Sequence, residues 1–98
     1  MDQVVQICKI FSDINRMKIV LLIKKYKEVC VCEICDTLKL SQPLVSRHLK
    51  MMKKVGIVES LQSGKWVIYK LKDNSTVNCL IAKTDLNTIP PIVKCSRN

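Results

Sequence analysis

Glycine and proline are scarce, two and three residues in a chain of 98. That excludes collagen-like and low-complexity chains, which need them in abundance. Acid is scarce too. Seventeen Lys and Arg stand against eight Asp and Glu, a formal charge of +9. An acidic solvating tail is thereby excluded, and a polyanionic partner is indicated. No apolar run exceeds the five residues Ile19-Val20-Leu21-Leu22-Ile23, far short of the ~20 that cross a bilayer. With no apolar stretch behind the N-terminus either, the chain is expected in the cytoplasm, without a membrane partner. Its length allows one small domain, with a core of the size that a partner subunit often completes.

Cysteine, by contrast, is abundant. Three of the six fall between Cys30 and Cys35. That spacing, in a chain expected to stay in a reducing compartment, favours free or metal-binding thiols over a disulfide framework. The positive charge is also concentrated. Between Lys39 and Lys72 stand Lys39, Arg47, Lys50, Lys53, Lys54, Lys65, Lys70 and Lys72, with Glu59 the one acid, so this third of the chain carries +7 of the +9. A solvated basic surface would explain some of this, but the concentration favours a nucleic-acid footprint.

Apolar residues at Val4, Val5, Ile7, Cys8, Ile10 and Phe11 suit a first helix over Asp2 to Phe11. Ser12 and Asp13 can cap a second, running to about Lys27. Its apolar stripe is broad enough to mean a central, largely buried helix. A short third helix covers Val31 to Leu38. Ser41 is an N-cap for a fourth, with Pro43 in its first turn and Gly56 able to close it with positive φ. The period then falls from 3.6 to 2. Ile57–Gln62 and Lys65–Leu71 are strand-like runs around a Ser63-Gly64 turn. A fifth helix runs from Thr76 to about Leu86, and Pro90-Pro91 ends regular structure. The expected fold is α+β and mainly α: a winged helix-turn-helix of about five helices with a two-stranded β-hairpin wing. Residues 1–86 form the domain and 87–98 a C-terminal tail.

At about 100° per residue, Val45, Leu49 and Met52 fall on one arc of the fourth helix, flanked by Leu44, Met51 and Val55. Gln42, Ser46, Arg47, Lys50, Lys53 and Lys54 fall on the other. Arg47 has the geometry for guanine O6/N7, Gln42 for adenine N6/N7, and Ser46 for a base or a phosphate, while the lysines suit phosphate. His48, the only histidine, falls near the apolar side, so both a structural and a DNA-facing role stay open. Lys65 beside the hairpin turn is a candidate phosphate or minor-groove contact, and Trp66 suits packing better than base stacking.

The segment Glu28-Val29-Cys30-Val31-Cys32-Glu33-Ile34-Cys35-Asp36 carries the second signal. Cys32 and Cys35 are i, i+3 on a helix, roughly 5–6 Å apart on one face. Cys30, just before the helix, can join them if the first turn loosens. Three soft thiolates with no fourth ligand nearby suit As(III) or Sb(III), whose lone pair fills the fourth direction, better than Zn²⁺, which prefers four ligands. The helix N-terminus is expected to lower the thiol pKa values. Three small buried hydrophobes are the alternative, although acids between them make poor core patterning.

From Glu28 to Leu71 the chain resembles the ArsR/SmtB family of metal-responsive repressors, especially its arsenical-responsive branch. The motifs that carry the resemblance are E-x-C-V-C-x-x-C, S-Q-P-x-V-S-R-H-L and G-K-W-V-x-Y. The resemblance implies a homodimer, built through its first and last helices, that binds an inverted-repeat operator. It also implies release of the operator when Cys30, Cys32 and Cys35 take up As(III) or Sb(III). Relatives with zinc on the last helix use Asp and His pairs; this chain has Asp73 and Asp85 there but no His, so no such site is expected. Cadmium- and lead-responsive relatives add N-terminal cysteines. Cys8 could serve so, but its apolar helical setting and that of Cys79 indicate core, and Cys95 lies in the tail. A thiol enzyme is disfavoured by the lack of a C-x₅-R loop and of a Gly-rich phosphate cradle. A repressor responding to Cd(II), Pb(II) or thiol oxidation shares the same DNA-binding half.

Overall fold

Eight elements follow one another in the computed structural model, which describes residues 2–82 and 90–92, with backbone alone at Ser75. They are α1 (Asp2–Phe11), α2 (Ile14–Tyr26), β1 (Glu28–Cys30), α3 (Val31–Leu38), α4 (Gln42–Val55), β2 (Val58–Ser63), β3 (Trp66–Leu71) and α5 (Ser75–Ile81).

The helix ends follow from local chemistry. The Asp13 carboxylate accepts the N–H groups of Asn15 and Arg16 at 2.8 and 3.3 Å, satisfying donors that the first turn of α2 leaves unpaired. The Arg16 guanidinium turns back to the end of α1, donating to the carbonyls of Ile10 at 2.9 Å and Lys9 at 3.4 Å. Ser41 Oγ accepts Leu44 N–H at 3.4 Å at the start of α4. Gly56 closes that helix at φ 91, a conformation that costs glycine nothing.

Helix α2 is the hub. Its five consecutive apolar residues Ile19–Ile23 are all buried, which one-sided packing could not achieve. Around it close Ile7 and Ile10 of α1, Ile34 of α3, Val45, Leu49 and Met52 of α4, Ile57 and Val58, and Val77 and Ile81 of α5. Lys24 Nζ donates to the Ile81 carbonyl at 3.1 Å, tying α5 to α2.

The sheet is three-stranded, in the order β1-β3-β2 with both pairings antiparallel, where the sequence led us to expect a two-stranded hairpin. The added strand, Glu28–Cys30, is too short to show a period of two and runs straight into α3. Its place is set by pairing with β3, where Cys30 lies opposite Ile68. The hairpin turn is Gly64-Lys65 rather than Ser63-Gly64, with Ser63 paired to Trp66 and Gly64 at φ 60. That is the glycine position of a type II′ turn. Helix α5 is described to Ile81. Its expected extension to Leu86, the boundary at residue 86 and most of the tail lie outside the described residues.

Leu49 is wholly buried on the inner face of α4. Leu49→Ala is expected to cost about 2–5 kcal/mol, lowering the midpoint of thermal unfolding by roughly 4–8 °C per kcal/mol. Calorimetry of the two proteins measures the shift.

Candidate nucleic-acid interface and thiol site

Val45, His48, Leu49 and Met52 face the core from α4. That leaves Gln42, Ser46, Arg47, Lys50, Lys53 and Lys54 exposed on the opposite arc. Met51, expected to flank the apolar side, is 40% exposed. Fourteen residues at about 1.5 Å each make a helix of roughly 21 Å, and a helix fits the major groove. Lys53 Nζ donates to Ser60 Oγ at 2.7 Å, linking α4 to β2. Lys65 is exposed at the hairpin tip, its Nζ 5.5 Å from the centroid of the half-buried Trp66 ring. Across the hairpin Lys70 lies 3.9 Å from Glu59, with both side chains nearly half exposed. The pair adds little stability, but it places a cation beside the one acid of the basic stretch.

Seven of the eight residues singled out for DNA are therefore exposed: Gln42, Ser46, Arg47, Lys50, Lys53, Lys54 and Lys65. His48 is not. It is 6% exposed, and its Nδ1 has no hydrogen-bond partner among the described residues. This placement favours the structural role. Burial holds the imidazole below its ordinary pKa; Asp13 opposes that shift, and Arg16 and Arg47 reinforce it. The unfolded chain thus takes up the His48 proton first as pH falls, and the native state loses stability below the ordinary histidine pKa of about 6.5. Unfolding temperatures of the wild type are expected to drop between pH 7.5 and 5.5, and those of His48→Gln to drop less. Equal slopes would exclude His48 as the source.

Cys30 is at once the last residue of β1 and the N-cap of α3, buried and extended at φ −95, ψ 166. Its N–H donates to Oε1 of Glu33 at 3.0 Å, and Glu33 is itself fully buried. Cys32 and Cys35 are half-buried on α3. Cys32 is held in a disulfide, while Cys30 and Cys35 are free thiols. Cys32 Sγ also lies 3.6 Å from Asp36 Oδ2. Burial, then the Asp36 carboxylate, pushes the Cys35 thiol up. This is opposite to the lowering expected from the helix N-terminus: burial and the Asp36 carboxylate outweigh it.

Among the described residues no three His, Cys, Asp or Glu side chains are already gathered as a metal cage. The donor chemistry of Cys30, Cys32 and Cys35 fits a thiophilic ion. Cys8 and Cys79, expected in the core, are exposed. They lie on the outward faces of α1 and α5, near the exposed Val4, Val5 and Leu80. Cys95 lies outside the described residues.

A cleft of about 330 Å³ opens beside the thiols, lined by Cys30 and Cys32, by Gln42 at the start of α4, and by Lys65 and Trp66 of the hairpin. Sequence spacing alone could not join these segments; the β1–β3 pairing does. A larger groove of about 640 Å³ between α2 and α3, lined by Ile14, Met17 and Leu38 among others, carries no thiol.

Residues 13–60 match the model of the arsR family of bacterial regulatory proteins. The cadmium resistance transcriptional regulatory protein CadC homolog of Staphylococcus aureus is 33% identical over 84 residues, 86% of this chain and 69% of that protein. The chain belongs to the arsR family. The arsenical resistance operon repressor of Escherichia coli K12 is 43% identical over 67 residues, 68% of this chain. The match spans little more than half of that arsR-family repressor, 57% of its length. Among solved structures, the transcriptional repressor PagR of Bacillus anthracis superposes with a TM-score of 0.75 at 27% identity, covering 86% of this chain and 94% of that one. These arsR-family relatives are regulators, not enzymes. Membership in a family of regulators weighs against a thiol enzyme, although Cys32 and Cys35 have the C-x-x-C spacing of dithiol oxidoreductases.

Proposed function

We propose that the chain is a transcriptional repressor that binds operator DNA through α4 and the β2–β3 wing and leaves it on capturing As(III) or Sb(III) at Cys30, Cys32 and Cys35. The observation that carries this reading is the position of the three sulfurs. Cys30 and Cys32 stand at the β1–α3 junction and line the cleft that Gln42 of α4 also lines, and Cys35 follows in the next turn of α3. The arsenical relative supports the choice of inducer, and the cadmium relative keeps Cd(II) and Pb(II) as competing ones.

The chemistry balances without redox change at the metalloid. As(OH)₃ exchanges three hydroxyls for three thiolates, and the three thiol protons leave with the hydroxyls as water. Cys32 enters this exchange as a thiol once two equivalents of a small-molecule thiol have reduced its disulfide with two electrons and two protons, leaving joined as a disulfide of their own. Drawing Cys30 toward the sulfurs on α3 distorts the first turn of that helix, which packs against α4. The loaded state therefore disfavours the DNA-competent arrangement, and by linkage the operator weakens As(III) binding by the same factor. A swing from 99:1 to 1:99 needs about 5.5 kcal/mol of differential binding, a reasonable demand on three sulfur–metalloid bonds.

The exposed Val4, Val5 and Leu80 on α1 and α5 support a homodimer formed through these helices. Such a dimer reads an inverted repeat with half-sites roughly 34–36 Å apart. Residues 1–86 form the DNA-binding and dimerisation domain, 87–98 a tail, and the protein works in the cytoplasm.

Operator gel shifts under reducing conditions test the reading. Arsenite and antimonite are expected to release the wild type, and Cys32→Ser to bind the operator but ignore arsenite. Cys8→Ser, Cys79→Ser and Cys95→Ser stay inducible. Release of Cys32→Ser by arsenite would remove the site assignment, and greater potency of Cd(II) or Pb(II) would change the inducer. Arg47→Ala is expected to cost about 1–3 kcal/mol and relax base preference; uniform weakening on all sequences would make it a phosphate contact.

The disulfide at Cys32 favours a second reading, a repressor switched by thiol oxidation. There two thiols give up two electrons and two protons to a peroxide, which leaves as two waters. Release by peroxide but not by arsenite selects it.

A further inference from the structure

We propose that the wing is part of the sensing site: Trp66 walls the cleft in which the thiols take the metalloid, and capture at Cys30 is relayed to Lys65 through the pairing of β1 with β3. This rests on the function proposed above and adds a second route from the thiols to the DNA, beside the packing of α3 on α4.

Three observations converge. First, the cleft lined by Cys30 and Cys32 is also lined by Lys65 and Trp66, so a group bound at these sulfurs lies next to the wing. Second, Cys30 pairs with Ile68 in the antiparallel ladder. Paired residues present their side chains on the same sheet face, and so do residues two apart on one strand. Cys30, Ile68 and Trp66 therefore share a face. Third, β1 has only three residues. Its last one also caps α3, so any movement of Cys30 toward Cys35 is applied directly to the end of a short ladder. Short ladders open at low cost.

The effect on DNA follows from the wing's chemistry. The ammonium of Lys65 stands 5.5 Å from the centroid of the Trp66 ring, a cation–π distance. Trp66 thereby helps to position the one cation at the tip of the hairpin. The same cleft touches Gln42, in the first turn of α4. Operator binding needs the wing and α4 at a fixed spacing, because their contacts fall on one rigid duplex. Displacing Trp66 alters that spacing even where α4 keeps its own orientation.

Trp66 is the only tryptophan in the chain, so its emission reports on the wing alone. Arsenite titrated into the full chain, kept reduced with a phosphine, is expected to change Trp66 emission in step with operator release, and to leave it unchanged in Cys32→Ser. Lys65→Ala is expected to weaken operator binding of the arsenite-free protein and to leave the loaded protein unaffected. The fold-release by arsenite then shrinks by the factor that the substitution costs the free protein. The relay is overturned if the wild type is released while Trp66 emission stays constant, or if Lys65→Ala weakens both states equally. A wild type that arsenite does not release at all brings down the thiol-site reading, and the relay with it.

Discussion

The hydrogen bond from Cys30 N–H to the buried carboxylate of Glu33 fixes the place where a strand becomes a helix with no intervening loop. A helix N-terminus leaves backbone donors without intrahelical partners, and a buried one must find acceptors within the protein. Glu33 supplies one, three residues into the helix, where a negative charge is also favoured by the helix dipole. Because the junction is fixed, β1 can pair with β3 on one side while α3 packs on α4 on the other. The wing and the reading helix are thus held to a single hinge.

That arrangement is what gives the proposed thiol site its consequence. Soft ligands clustered on an exposed loop would bind an ion without effect on the neighbouring elements, whereas Cys30 belongs to the end of β1 and to the cap of α3 at once.

The DNA-facing surface follows a simpler logic. One face of α4 fills the core through Val45, Leu49 and Met52, so the other face has no choice but solvent or a ligand. Its lysines and Arg47 make that ligand a polyanion. Lys53 bonded to Ser60 shows part of that charge linking α4 to β2.

Periodicity and caps were legible from the residues alone. Asp13, Ser41 and Gly56 mark helix ends by what their side chains or backbones can do locally, and the shift from a period of 3.6 to 2 marks the wing. The basic arc of α4 and the spacing of Cys30, Cys32 and Cys35 were legible for the same reason, since each depends on neighbours within a few residues. What depended on distant partners was not. Only pairing with Ile68 makes Glu28–Cys30 a strand. Only packing decides that His48 is buried with a nitrogen unpartnered among the described residues, or that Cys8 and Cys79 face outward from helices that look apolar. Burial and a neighbouring acid, not helix position, set the direction of the Cys35 shift. The cleft between Cys30 and Trp66 joins segments more than thirty residues apart. Such long-range contacts are set by how preformed helices and strands bury their apolar faces together, and no local pattern encodes which faces will meet.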